Sequence, residues 1–209
     1  VGVFDGRPIG IEKQYSVGGG PKKLRGVTFA GDLGGRPIGL KIYTSDVGSI
    51  GRRRHAITTG DGRFDAAMRV DGWPEVCCIA ALDPETRAML VDTYDGRLPL
   101  VEVKHGAIRL TRTVLHDNPS RVATPEELAP FARLVQGMAT RATTAYDDTA
   151  EEIRRAHGDG AAEAWAGEQA AAQGRHASGR RRGRAVVFGG FAVICIGIIL
   201  AVAYSAGLI

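Results

Sequence analysis

Leu98-Pro99-Leu100-Val101-Glu102-Val103-Lys104-His105-Gly106-Ala107-Ile108-Arg109-Leu110 decides the fold, because apolar and polar residues alternate on both sides of a His-Gly pair. Alternation at period two is the signature of a half-buried strand, and a glycine between two such runs permits the positive φ of a tight turn. The stretch reads as a hairpin in which Val101 and Val103 face Ile108 and Leu110, the second strand running on to Leu115. His105 reads as a turn residue rather than a ligand.

Working back from the hairpin, the first half of the chain repeats this texture. Ile38, Leu40 and Ile42 alternate with Gly39, Lys41 and Tyr43, and Phe64, Ala66, Met68 and Val70 alternate with Asp65, Ala67 and Arg69, so both runs read as half-buried strands. Further strands are expected at Ile9–Val17, Leu24–Ala30 and Arg53–Thr59. Gly6-Arg7-Pro8-Ile9-Gly10-Ile11 is echoed by Gly35-Arg36-Pro37-Ile38-Gly39-Leu40, each a turn leading into a strand. Asp5-Gly6, Asp61-Gly62 and Asp95-Gly96 also read as turns.

Pro74–Leu82 and Pro84–Tyr94 each begin with a proline in a helix-compatible position, the second behind Asp83 as a cap, and predict two short helices. Val76, Ile79, Met89, Leu90 and the Cys77-Cys78 pair are expected in the core, with Trp73 over its rim. Thr124-Pro125-Glu126-Glu127 announces a longer helix through a capping box, and Leu128, Phe131, Val135, Met138, Ala142 and Ala145 give it one apolar stripe. Pro130 is placed to kink its start. Glu151 and Arg155 stand at helical pair spacing, and Gly158-Asp159-Gly160 ends the helix. Residues 158–184, rich in Ala, Gly and Arg, read as a flexible tether in which Trp165 marks either a partner contact or a contact with the domain or the membrane surface.

Residues 185–209 carry no charge. As a helix these 25 positions extend about 37 Å, more than the ~30 Å hydrocarbon core of a bilayer, and predict one transmembrane helix. Arg180, Arg181, Arg182 and Arg184 precede the run and nothing basic follows it, which places the preceding domain on the cytoplasmic face in a tail-anchored topology. Gly190, Gly197, Ala201 and Ser205, spaced by seven, four and four, share a face of small residues suited to close helix packing.

The formal net charge of +4 is uneven: residues 1–60 carry ten basic against four acidic side chains. Lys22, Lys23 and Arg25, with Arg52, Arg53 and Arg54, read as solvated loops or as a surface for acidic headgroups. The arginine cluster has no interleaved aromatics, so nucleic acid is not expected as a partner. Nor is a secretory leader expected, since no basic start opens onto an apolar stretch. Gly18–Lys23 lacks the Gly-Lys-Ser or Gly-Lys-Thr ending of a phosphate loop, and Pro21 removes a backbone donor. No Gly-x-Ser-x-Gly elbow, paired zinc-binding histidines or Cys-x-x-Cys occurs. No catalytic residue, cofactor or metal is expected, although His55, His105 or His116 meeting an Asp in space is not forbidden.

From Phe64 to Arg141 the alternating run, the Ala-Leu-Asp-x-x-Thr-Arg segment (Ala81–Arg87), the hairpin and the Glu-Leu-rich helix together resemble uncharacterised bacterial membrane-anchored α+β proteins of unknown function. The resemblance covers a little over a third of the chain and implies no activity. The fold expected is α+β: a mainly antiparallel sheet with short helices and a long amphipathic helix over residues 1–157, a tether over 158–184, and a C-terminal single transmembrane helix over 185–209. The function expected is a noncatalytic accessory or scaffold subunit, whose partners are membrane lipids and other membrane protein subunits. The alternatives are a peripheral sensor of acidic lipids and an enzyme with an unfamiliar site.

Overall fold

The computed structural model describes residues 2–4, 7–15, 24–45, 56–93, 101–113 and 124–174. The chain divides into Val1–Gln169 and Ala170–Ile209, and the architecture below belongs to the first unit. Of the second, residues 170–174 are helical. The span expected over 185–209, with its arginine cluster and small-residue face, lies outside the described residues, as do Lys22, Lys23 and Arg52–Arg54. Among the described residues no helix is long and apolar enough to cross a membrane.

The first unit is α+β. Strands β1 (Gly2–Phe4), β2 (Arg7–Tyr15), β3 (Leu24–Asp32), β4 (Gly39–Thr44), β5 (Ala56–Ile57), β6 (Met68–Trp73), β7 (Val101–Lys104) and β8 (Ala107–Thr113) form one sheet in the order β1-β2-β3-β8-β7-β4-β6-β5. Every recorded pairing is antiparallel. The hairpin stands as read, with Val101 opposite Leu110 and Val103 opposite Ile108. His105 (φ 54°) and Gly106 (φ 74°) both occupy the left-handed region, the combination that lets a two-residue turn follow the twist of its strands.

Alternation divides the sheet into two faces. Val27, Phe29, Leu40, Ile42, Val70, Val101, Ile108 and Leu110 are buried on one. On the other stand Thr28, Ala30, Lys41, Tyr43, Asp71, Glu102, Arg109 and Thr111. The helix α4 (Pro125–His157) lies against the buried face, held from its first turn by the expected capping box: Glu127 N–H donates to Thr124 Oγ1 at 3.4 Å and Thr124 N–H to Glu127 Oε2 at 3.1 Å. Phe131, Val135, Met138 and Ala142 are buried, while Leu128 and Ala145 pack at the margin. Phe131 stacks on Phe29 with ring centroids 6.1 Å apart. Close approach at the crossing requires Gly31, where a Cβ would stand 2.9 Å from both the Val135 carbonyl oxygen and the Ala139 Cβ. Pro130 is the sixth residue of α4 and lacks the amide that would bond the Glu126 carbonyl.

Four expectations are corrected. The run Phe64–Val70 is half helix: α1 (Gly62–Ala67) precedes β6, because Asp61 is no turn residue but an N-cap that accepts from the Arg63 and Phe64 amides. In α2 (Glu75–Ala81) the buried side chains are Cys77, Cys78 and Ala81, whereas Val76 and Ile79 are 45% and 41% exposed. Small residues face inward there because Cys78 Sγ packs where a Cβ on Gly72 would lie, 2.4 Å away. Trp73 covers the opposite face of the sheet from the core: its indole lies over Gly39 so closely that a Cβ there would approach it to 2.1 Å. Finally, the start of the expected tether is a helix, α5 (residues 159–174). Gly158 (φ 85°) ends α4 as expected, and the chain then turns so that Ala162 is buried and Trp165 meets Tyr146 at 4.7 Å between ring centroids. Of the two roles read for Trp165, contact with the domain is the one observed.

Candidate functional site

The densest polar constellation among the described residues lies where α2 turns into α3 (Pro84–Asp92) beneath α4. A helix ends with carbonyls that lack intrahelical donors, and the corner between two short helices must satisfy them from elsewhere. Arg141, from the middle of α4, does so: Nε donates to the Ala80 carbonyl at 3.1 Å and Nη2 to the Ala81 carbonyl at 3.3 Å. The same guanidinium reaches Thr86 Oγ1 at 2.7 Å and pairs with Asp83 at 3.2 Å. Arg87 completes the corner, donating to the Leu82 carbonyl at 2.7 Å and to Asp61 Oδ2 at 3.1 Å. Two arginines thus cap the negative end of α2, while Asp83 caps the positive end of α3 by accepting from the Thr86 amide at 2.9 Å.

The carboxylates respond to this setting. Burial, the largest single influence, pushes Asp83 up, but the Thr86 hydroxyl and amide with the charges of Arg141 and Arg87 together hold it below its ordinary value. At Asp61 the Phe64 amide leads, followed by the Arg87 hydrogen bond, and the value is again lowered. Both groups are therefore anions at neutral pH, engaged as acceptors. A general acid requires the opposite shift.

Beside the corner a groove of about 390 Å³ opens between α3 and α4, lined by Asp83, Glu85, Thr86, Met89, Pro130, Arg133, Leu134 and Arg141. A second hollow of about 280 Å³ lies against Gly31, Asp32, Arg36 and Thr140. There Arg36 holds Asp147 of α4 through Nε at 2.8 Å and its own turn through the Leu33 carbonyl at 3.3 Å. The pKa of its guanidinium is raised above its ordinary value, first by the hydrogen bond it donates to Asp147. In both places the charged groups tie elements of the fold to α4.

The cysteine pair is equally structural. Burial, with a smaller contribution from Asp147, pushes the Cys77 thiol up to about 12, and Cys78 is raised further by burial and by Cys77 itself. Cys78 Sγ donates to the Gly39 carbonyl at 3.3 Å. Thiols held protonated are neither nucleophiles nor ligands.

The residues singled out in the sequence fall as follows. His105 is in the β7–β8 turn, while His55 and His116 lie outside the described residues. So do Arg180, Arg181, Arg182, Arg184, Gly190, Gly197, Ala201 and Ser205. Among the described residues no group of three or more His, Cys, Asp or Glu side chains could hold a metal ion. What sequence reasoning missed is Arg141: it lies three residues after Met138 and four before Ala145, and its only signal is a charge at the spacing of the apolar stripe. Compared with protein-family models, curated proteins and solved structures, the chain has no match.

Proposed function

We propose that the chain is a noncatalytic, single-pass membrane protein whose α+β domain serves as an accessory or scaffold subunit of a membrane protein assembly. The observation that carries this reading is the charge-free run of residues 185–209 directly behind Arg180, Arg181, Arg182 and Arg184. An uncharged segment of that length enters hydrocarbon readily, and the arginines keep the preceding domain on the cytoplasmic side. The small-residue face at Gly190, Gly197, Ala201 and Ser205 gives the span a surface for another helix. The engagement of Arg36, Arg87 and Arg141 in tying helices together supports a domain built to be rigid rather than reactive.

Mass spectrometry of what co-purifies with the full chain in a mild detergent tests the proposal. Defined companions recovered with the native span, and lost with Gly197→Ile and Ala201→Ile, support an assembly subunit held through helix packing. Release of the protein from membranes by alkaline carbonate, or a bare chain in detergent, refutes it. The second reading, a sensor of acidic lipid, draws on the basic excess of residues 1–60 and predicts vesicle binding that weakens with salt.

A further inference from the structure

Among its charged side chains, the outer face of the sheet carries a row of alternating sign. Register sets Glu102 on β7 opposite Arg109 on β8, Lys41 on β4 opposite Glu102, and Asp71 on β6 opposite Lys41. Across four adjacent strands the signs run plus, minus, plus, minus. Two aromatic side chains flank the row on the same face. Tyr43 donates its hydroxyl to Asp71 Oδ2 at 2.9 Å and receives Lys41 Nζ 5.4 Å from its ring centroid. Trp73 lies on the other side, over Gly39.

A row of alternating cross-strand charges suits any solvated sheet. One feature here exceeds that need: Tyr and Trp beside Arg are the side chains that most often carry binding energy at protein interfaces.

We propose that this face is the docking surface for a second copy of the chain, sheet against sheet about a two-fold axis. Two-fold rotation reverses the row, so that Arg109 faces Asp71 of the second copy and Glu102 faces its Lys41, with the same two contacts repeated in the other direction. Within the row every cation meets an anion, which is the self-complementarity an isologous interface requires. Arg109 gives Nη2 to Glu12 and keeps further N–H groups with which to approach the exposed edge of the Asp71 side chain of the second copy. With the axis between β7 and β4 the six strands from β3 to β5 overlap, and at about 4.8 Å between strands and about 3.3 Å per residue they offer a footprint of roughly 500 Å² per copy, the size of a small, weak interface. A row of this sort sets register and discriminates against other partners more than it adds affinity, so the association should be salt-sensitive.

The test uses full-length chains in detergent, differently tagged, with mass read by light scattering and pairing by co-capture. The unaltered chain is expected to dimerise, and Lys41→Glu and Glu102→Lys are each expected to weaken that dimer at least about ten-fold, by setting like charges opposite one another in two places. An equimolar mixture of the two variants is expected to pair as the unaltered chain does, because position 41 of each then faces an opposite charge at position 102 of the other. Rescue of this kind cannot come from repaired folding, since within each variant chain positions 41 and 102 still carry like charges. A monomeric unaltered chain, variants that associate undiminished, or a mixture that fails to pair each overturns the proposal; undiminished association in both variants would assign the contact to the span instead. Should either variant lose its far-UV circular dichroism, Lys41→Gln replaces it, and an unchanged dimer with that variant overturns the proposal equally.

Discussion

Gly31→Ala should be the most damaging single methyl added to the sheet's buried face where α4 crosses it. The new Cβ would meet the Val135 carbonyl oxygen and the Ala139 Cβ at 2.9 Å and Val135 Cγ1 at 3.2 Å. Ordinary contacts are about 3.5–4.0 Å, so α4 must retreat by about 0.6–1 Å or the strand must bow by as much, and a gap of that size forfeits a quarter to a half of each dispersion contact along the seam. The seam includes Phe131 on Phe29, with Val135 and Met138 buried beside it, and none of these can follow the strand while also keeping the helix. Overpacking in a close-packed core costs about 1–3 kcal/mol, offset in part by roughly 0.5–1 kcal/mol because glycine is a poor strand residue. The net expectation is a loss of about 1–2 kcal/mol, read as a lower urea midpoint at unchanged slope. Gly167→Ala in α5 is the control: nothing lies within 4 Å of the added methyl, and the helix should gain up to about 1 kcal/mol. A Gly31→Ala chain as stable as the unaltered one would refute the claim that backbone contact at this crossing sets the helix-to-sheet distance.

Arg141→Met keeps the aliphatic bulk but strips the donors from the Ala80 and Ala81 carbonyls, and should cost about 2–3 kcal/mol in the same assay. On a Cys195→Ser background, Cys77 and Cys78 should resist a thiol-exchange reagent at pH 8 in the folded chain and react at once in denaturant, since a thiol titrating at about 12 leaves on the order of one part in ten thousand as thiolate. Asp61 and Asp83 have folded-state values below their ordinary ones, so the unfolded chain binds protons first and both groups stabilise the fold above about pH 4. That contribution should fade as pH falls below about 4 through the lowered values, and Asp61→Asn should flatten the acid limb of a stability profile against pH.

Local chemistry made much of this fold legible. The hairpin was readable because alternation and a His-Gly turn agree, and α4 because Thr124, Pro125, Glu127 and the apolar stripe agree on start and face. The candidate corner was not, because Arg141 finds the carbonyls of residues some sixty positions earlier and nothing local encodes that meeting. The charged row is similar in part: Glu102 meets Arg109 within the hairpin, but Lys41 and Asp71 join them only once strands distant in sequence are placed in register.

The errors share a physical origin. Phe64, Ala66, Met68 and Val70 do alternate, but Phe64 and Met68 are also four apart, so two buried positions satisfy a helical turn as well as a strand. What breaks the tie is Asp61, whose side chain supplies two amides of a starting helix, and whose second oxygen is held by Arg87. Asp-Gly by itself does not distinguish a turn from a cap; the partner of the free oxygen does. In the same way Val76 and Ile79 look like core residues by hydrophobicity alone, until Gly72 shows that the sheet has left room there only for the Cys78 sulfur. For α2, the residue that decided which face turned inward was the one with no side chain.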